Sequence, residues 1–188
     1  ATSTSDEVTF AAGADLSAAT FVVSSGAKLG LSLDQASAVS ATNAITGAGD
    51  VVITMPEGTG SYVETALLKV DLDGGNLTLD LGEDDNDTLI LASGSSIDLG
   101  GGVLTISDGK VDVLTNAADF LNVSSVVINS SIILSYSDFV SIVSIKGTGN
   151  AEIVCADISE INSLAEVIES RINLADSILI PEFSVKVA

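Results

Sequence analysis

The sequence predicts a mainly β fold, either a β-solenoid or a sandwich-like stack of short strands, with short capped helices inside its repeat units. Three observations support this class. One strand-and-helix unit recurs along the chain, and short apolar segments between residues 61 and 113 are separated by Gly, Asp and Asn turns about every ten residues. The apolar content is mainly Val, Ile, Leu and Ala, and only 4% of the residues are aromatic. Such small, branched side chains suit tightly stacked β layers.

The recurring unit begins with a Ser or Thr that can cap a helix and continues with apolar residues at helical spacing. A strand, a turn of Gly, Asn or Ser and a second strand are expected to follow. Three consecutive copies are predicted between Leu114 and Ile180, and a fourth lies upstream. The copies open at Ser32, Thr115, Ser135 and Ser159, and their β segments are expected to begin at Ile45, Ile128, Ile145 and Ile172.

The helix starts are predicted from residues three apart. Ser32 followed by Gln35 fits a capping box, in which the two side chains satisfy each other's backbone N–H groups. Ser135 followed by Asp138 is a shorter version of the same arrangement. The first and second tandem copies also share an Asp-Phe pair, Asp119-Phe120 and Asp138-Phe139.

A Gly-x-Gly pair marks the turn in two of the copies, at Gly47/Gly49 and Gly147/Gly149. These pairs lack the third glycine of a dinucleotide-binding loop and stand between two strands, so they are interpreted as turns. A unit this small cannot bury its own apolar face. We therefore expect neighbouring copies to stack into one continuous core, with Phe139, Ile145 and Ile153 facing inward.

No long polar linker divides the chain, so residues 1–188 are interpreted as one β-rich repeat domain. Its predicted sections are a first repeat unit with a preceding hairpin (1–60), an acidic β section (61–113), three tandem strand/helix units (114–180) and a C-terminal strand (181–188). The first residues, Ala1 to Ser5, favour the mature start of an exported protein after removal of a signal peptide.

Charge excludes several classes of partner. Six Lys and Arg face 26 Asp and Glu, and the net charge is -20. Such a chain would be repelled by nucleic acid and by anionic membrane surfaces. No apolar run approaches the roughly 18 residues that a membrane helix requires, so no membrane insertion is expected.

The sequence argues against an enzyme. It contains no histidine, which excludes a Ser-His-Asp triad, a Cys-His pair and an imidazole metal site. It also has no tryptophan, so an aromatic-lined sugar cleft is not expected. The single cysteine, Cys155, lies in an apolar strand context and is interpreted as a small buried hydrophobic residue.

Two acidic turns in the central section are candidate calcium sites. Calcium prefers six to eight oxygen ligands from carboxylates, amides and turn carbonyls, and tight turns rich in Asp and Asn can offer them. The alternative is that these turns are simply solvated acidic loops. The candidate ligands are Asp71, Asp73, Asn76, Asp84, Asp85 and Asp87.

The second acidic turn resembles the calcium-binding nonapeptide of RTX proteins. The stretch Asn86-Asp87-Thr88-Leu89 matches the end of that nonapeptide, whereas Gly82 is the only glycine retained from its beginning. No second nonapeptide follows in tandem. The chain therefore lacks the tandem repetition of the nonapeptide, by which neighbouring half-sites of an RTX roll share calcium.

At the level of the whole chain, the Ser/Thr-capped unit ending in Ile-x-Gly-x-Gly-x-x-x-Ile, the richness in Ala, Val, Thr and Ser, the scarcity of Lys and the acidic turns resemble repeat-built surface proteins of bacteria and archaea. This group comprises large adhesins, surface-layer proteins and subunits of extracellular filaments. The resemblance implies a secreted protein that acts by assembly or adhesion and is often calcium-dependent.

We therefore expect an extracellular or cell-surface structural protein that assembles with copies of itself into a filament, sheath or surface layer and is stabilised by calcium. The alternative is an adhesin or carbohydrate-binding repeat module of a larger cell-surface protein, with surface glycans as partners. The residues expected to join copies are Phe183, Val185 and Val187 in the C-terminal strand and Val8 and Phe10 near the N-terminus. The C-terminal strand could instead pair within its own domain.

Overall fold

The computed structural model describes residues 7–55, 63–82, 87–115, 118–172 and 182–187, and it describes the side chains of α3 only as far as residue 168. The described residues form eighteen short strands and three helices. In chain order these are β1 (Glu7–Thr9), β2 (Phe21–Val23), β3 (Lys28–Ser32), α1 (Leu33–Ser40), β4 (Ile45–Gly47), β5 (Asp50–Thr54), β6 (Val63–Ala66), β7 (Lys69–Leu72), β8 (Leu77–Asp80), β9 (Thr88–Leu91), β10 (Ser96–Asp98), β11 (Val103–Ile106), β12 (Lys110–Asp112), β13 (Asp119–Leu121), β14 (Ser125–Ile128), β15 (Ser131–Ser135), α2 (Tyr136–Ser141), β16 (Ser144–Lys146), β17 (Asn150–Cys155), α3 (Ile158–Ile172) and β18 (Glu182–Val187).

The strands form a β-solenoid of about six turns, which confirms the predicted fold class and selects the solenoid over the sandwich. Three parallel sheets enclose its core. Sheet A has the order β1-β3-β5-β8-β11-β14-β16, sheet B the order β2-β4-β7-β10-β13, and sheet C the order β6-β9-β12-β15-β17-β18. A complete coil visits sheets B, A and C in turn, so each strand pairs with the strand one coil away.

This topology corrects the hairpin expected near the N-terminus. The strands β2 and β3 follow each other in sequence but belong to sheets B and A. The turn between them is a corner of the coil, and their pairing partners are β4 and β5. The sequence pattern of strand, Gly turn and strand is the same for a corner and a hairpin, which is why the two could not be separated.

The core consists of aliphatic ladders that run along the inside of the three sheets. In sheet A, Leu29, Val51, Leu77 and Leu104 stand in register on successive coils and are almost completely buried. Residues at the next position but one form a second ladder, because side chains of a strand alternate between its two faces. The predicted inward positions Phe139, Ile145 and Ile153 are all buried.

Each of the first two helices takes the place of one strand in its coil. Helix α1 follows β3 of sheet A and precedes β4 of sheet B, so it occupies the sheet C position of that coil. Helix α2 follows β15 of sheet C and precedes β16 of sheet A, so it occupies the sheet B position. Two of the predicted units are thus confirmed. Their helices lie on different sides of the solenoid, α1 at the sheet C position and α2 at the sheet B position.

The predicted caps of these two helices are confirmed. The Ser32 hydroxyl accepts from the Gln35 N–H at 3.3 Å, and the Gln35 side-chain oxygen accepts from the Ser32 N–H at 3.0 Å. The Ser135 hydroxyl accepts from the Asp138 N–H at 3.1 Å. Within α1, the buried side chains include Leu33, Ala36 and Val39, which places its apolar face against the core.

The unit expected after Thr115 is wrong. The Asp112 carboxylate accepts hydrogen bonds from the N–H groups of Leu114 and Thr115 and from the Thr115 hydroxyl, so Thr115 belongs to a turn. The pair Asp119-Phe120 lies in strand β13, where Phe120 pairs with Ile97 of sheet B. Ile128, expected to begin a β segment, is the last residue of β14.

The boundaries expected for the last unit also change. Helix α3 begins at Ile158, and Asp157 caps it by accepting from the Ser159 and Glu160 N–H groups at 2.8 and 3.1 Å. Ser159 is therefore inside the helix. Ile172, expected to begin a strand, is the last residue of α3.

The Gly-x-Gly turns are places where successive coils nearly touch. Gly47 and Gly147 have φ values of 120° and 118°, which disfavour residues with a side chain. A Cβ at Gly49 would overlap the carbonyl oxygen of Ser24, and one at Gly149 would overlap that of Ser130. The recurring motif is thus required by backbone approach between coils.

Polar side chains also bond one coil to the next. At the corner between sheets B and A, the Asp50 carboxylate accepts from the Asn76 N–H and side-chain amide at 3.1 and 2.9 Å. The Asn76 side-chain oxygen in turn accepts from the Val103 N–H at 3.0 Å. The helices that the structure describes are too short or too polar to span a membrane.

Candidate functional site

A shallow groove runs along the outer face of sheet A. It has a volume of about 580 Å³, and its polar lining includes Lys28, Asp50, Asn76, Thr78 and Thr105. Asp50 and Asn76 already bond to each other across the coils, and Lys28 lies 3.5 Å from Glu7. These groups therefore serve coil-to-coil contacts, and the lining offers no nucleophile paired with a base.

The first acidic turn lies at the corner between sheets B and A. Asp71 is an exposed, outward-facing residue of β7, and Asp73 is exposed just after that strand. Asp71 stands between Thr46 and Asp98 in the strand register. Asn76 belongs to the ladder that joins Asp50 to Val103, so its side-chain oxygen is already used as an acceptor.

The second acidic turn lies at the next corner, between sheets A and C. Asp87 is 1% exposed, and its carboxylate lies beside Gly82. The backbone carbonyl of Asp87 accepts from the Lys110 N–H at 2.7 Å, which ties this turn to the following coil. Asp84 and Asp85 lie outside the described residues.

The structure therefore places the described candidate ligands at two corners, Asp71, Asp73 and Asn76 at the first and Asp87 at the second. In the part of the chain that is described, no three acidic or Cys side chains converge in a group that could hold a metal ion. The residues present could contribute single carboxylate or amide ligands at each corner. Calcium binding at these turns stays a prediction.

The N-terminal end of the solenoid is formed by β1, the outermost strand of sheet A. Val8 stands in register with the buried Leu29, yet its side chain is 52% exposed because no described strand lies beyond it. Phe10 is half-buried and packs edge-on against Phe21 with 5.4 Å between ring centroids. On the outer face, Glu7 pairs with Lys28.

The C-terminal end is formed by β18, the outermost strand of sheet C. It pairs in parallel with β17 of its own chain, which is the intradomain alternative left open by the sequence. Phe183 packs against Phe139 with 5.8 Å between ring centroids. Val185 and Val187 continue the ladder of the buried Ile153 and Cys155, yet they are 47% and 55% exposed.

Helices lie beside the opposite edges of these same two sheets. Helix α1 contacts β6, the first strand of sheet C, and α3 contacts β16, the last strand of sheet A. Sheet A is thus open at its N-terminal edge and sheet C at its C-terminal edge within the described residues. Open, unprotected strand edges are the surfaces by which β proteins associate.

The sequence identified Phe183, Val185 and Val187 by alternation of apolar and polar residues, and Val8 and Phe10 as part of a short N-terminal strand. The structure places the two groups at opposite ends. It missed the outward charges beside them, Glu7 and Lys186. Alternation along a segment predicts which residues share a face of a strand. Whether a charged residue lies at the edge of a sheet can be predicted only when the neighbouring strand is known.

Cys155 has the buried position expected from the sequence. Burial, with smaller contributions from the Glu160 and Asp157 carboxylates, raises the pKa of its thiol. A protonated, enclosed thiol is a poor nucleophile, so this residue is part of the core.

Comparison of the chain with protein-family models, with curated proteins and with solved structures gave no match.

Proposed function

We propose that this protein is an extracellular structural subunit that assembles with copies of itself into a filament, sheath or surface layer. The supporting observation is the exposure of Val8, Val185 and Val187, which stand in line with buried ladder residues. These positions are exposed because, among the residues that the structure describes, the ladders end there. A second copy placed at either end would bury them and continue the main-chain hydrogen bonds.

The ends differ from each other, which determines the kind of assembly. One end presents sheet A through β1 and the other presents sheet C through β18. A contact between unlike surfaces is heterologous, and it generates an open fibre unless the rotation closes a ring. The net charge of -20 would keep single subunits dispersed at low ionic strength, and screening by salt would favour their association.

The test is electron microscopy and sedimentation of the purified protein, residues 1–188, over a range of protein concentration, salt and calcium. We expect unbranched rods or sheets that appear above a critical concentration, and we expect that concentration to fall as salt increases. Monodisperse monomers under all these conditions would contradict the proposal.

The second candidate function is an adhesin or carbohydrate-binding repeat module of a larger cell-surface protein. The groove on the outer face of sheet A favours it, because the hydroxyls of Thr78 and Thr105 in its lining can hydrogen-bond to sugar hydroxyls. A glycan array with the monomeric protein separates the two functions. Binding that is lost when Thr78 and Thr105 are changed to Val would support the module.

A further inference from the structure

We infer that copies join through β18 of one subunit and β1 of the next, so that sheet C of the first continues as sheet A of the second. This inference rests on the proposed self-assembly and specifies its joint. Successive subunits would be turned by one face about the common axis. The occupant of each open edge is thus a second copy of this chain.

The positions of the helices exclude the straight alternative. If sheet C of one subunit continued as sheet C of the next, β18 would meet the end at which α1 lies against β6. A helix beside that edge stands where the incoming strand would have to pair. In sheet A, by contrast, β1 is the outermost strand at the N-terminal end, and no other described element lies beyond it.

Charge and burial complement each other in one parallel register. With Lys186 opposite Glu7 of the next subunit, Val187 stands opposite its Val8. The first pair lies on the outer face and the second on the inner face. Glu7 is already 3.5 Å from Lys28, so the joint would create a row of alternating sign, Lys186, Glu7 and Lys28. Opposite charges side by side on one sheet face are stabilising.

The main-chain groups of β18 are also oriented for this contact. The Glu182 N–H donates to the Gly149 carbonyl at 2.8 Å, so the main-chain groups of Glu182 point towards β17. Because successive residues of a strand direct these groups to opposite sides, those of Phe183, Val185 and Val187 point to the open edge. In the register given above, the Val187 N–H would donate to the Glu7 carbonyl of the next subunit, and proline at position 187 would remove that donor.

The first experiment exchanges charges. Lys186→Glu alone would place two negative charges opposite each other at the joint, and Glu7→Lys alone would place two positive charges there. Because like charges repel, each variant should have a critical concentration about threefold to tenfold higher than that of the wild type. An equimolar mixture restores opposite charges at every junction between unlike copies and should assemble close to the wild-type concentration. Lys110→Glu is the matched control, because it makes the same change on the outer face of sheet C away from the ends.

The second experiment does not depend on charge. Val187→Pro should leave the monomer folded, with a melting temperature unchanged within a few degrees, because the Val187 N–H points away from β17. It should raise the critical concentration about tenfold. Val187→Ile keeps the N–H and the apolar side chain and should assemble normally.

The outcomes separate the joint from the proposed function. If the wild-type chain never polymerises, both fail. If it polymerises and Val187→Pro assembles like wild type, or the mixture assembles no better than the single charge variants, the joint is wrong while self-assembly stands.

Discussion

At the residue scale, successive coils approach each other closely at the glycines of the Gly-x-Gly turns. Gly149 has no positive φ, so a substitution there tests crowding alone. We expect Gly149→Ala to destabilise the protein by about 3 kcal/mol, because its Cβ would overlap the Ser130 carbonyl and force the coils apart. Urea unfolding measures this cost.

The control is Gly74→Asn. Gly74 has a φ of 82°, which asparagine tolerates better than most residues, and a Cβ there meets no atom within 4 Å. We expect a cost below about 1 kcal/mol. A cost at Gly149 no larger than the cost at Gly74 would contradict overlap with the Ser130 carbonyl as the reason for glycine at this position.

The ladder side chains provide the second test at this scale. Ile153 is completely buried, whereas Ile158 is 75% exposed, so the same substitution can be compared inside and outside the core. Truncation of Ile153 to Ala should cost about 2–5 kcal/mol in unfolding free energy. Ile158→Ala should change it by less than about 0.5 kcal/mol. A small cost at Ile153 would contradict the register of β17.

At the element scale, the cap of α3 makes the helix sensitive to acid. Hydrogen bonds from the Ser159 hydroxyl and from the N–H groups of Glu160 and Ser159 lower the pKa of Asp157. A carboxylate with a lowered pKa in the folded state stabilises above its unfolded value near 3.9, and this contribution is lost as pH falls through the folded value. The first turn of α3 should therefore open at acid pH.

Amide hydrogen exchange along α3 between about pH 2 and 6 measures this effect after correction for the intrinsic exchange rate. Helix α1 is the internal reference, because its capping residues Ser32 and Gln35 do not titrate. Asp157→Asn retains a capping side chain and should remove the local pH dependence. The same acid-induced opening in that variant would show that another group controls the helix.

The sequence predicted correctly the helix starts that are determined by hydrogen bonds between residues close together in the chain. Ser32 with Gln35 and Ser135 with Asp138 identify helix starts within three residues, and both are confirmed. Thr115 has the same capping ability, but Asp112 engages its N–H and hydroxyl groups in a turn. The spacing of a capping motif does not show whether a nearby side chain, here Asp112, will engage the capping residue instead.

At the scale of the whole molecule, the short strands and stacked units predict a solenoid, whereas the number of faces does not follow from them. A corner and a hairpin have the same sequence pattern, and only the distant partner distinguishes them. The pairing of β18 with β17 illustrates the difficulty, because α3 separates them in sequence. The exposed end residues were predictable as strand faces, but their position at opposite ends required the topology.

The acidity of the whole chain leads to the last prediction, calcium dependence. Carboxylates at two corners, among them Asp71, Asp73 and Asp87, contribute to a net charge of -20. A bound cation would offset part of their repulsion. At about 100 times its dissociation constant, calcium at one site would stabilise the fold by roughly 2.7 kcal/mol, which would raise the melting temperature.

Melting curves in millimolar calcium should be compared with curves in chelator and in sodium chloride of equal ionic strength, so that specific binding is separated from screening. Asp71→Asn with Asp73→Asn tests the first corner, and Asp84→Asn with Asp85→Asn tests the second. Asp87 is left unchanged, because it is buried and its substitution could alter stability without calcium. Asp34→Asn removes a carboxylate in the first turn of α1, away from both corners, and is the control for the change in net charge. Loss of the calcium response in one pair alone would assign the site to that corner, and identical melting temperatures in calcium and chelator would rule calcium out.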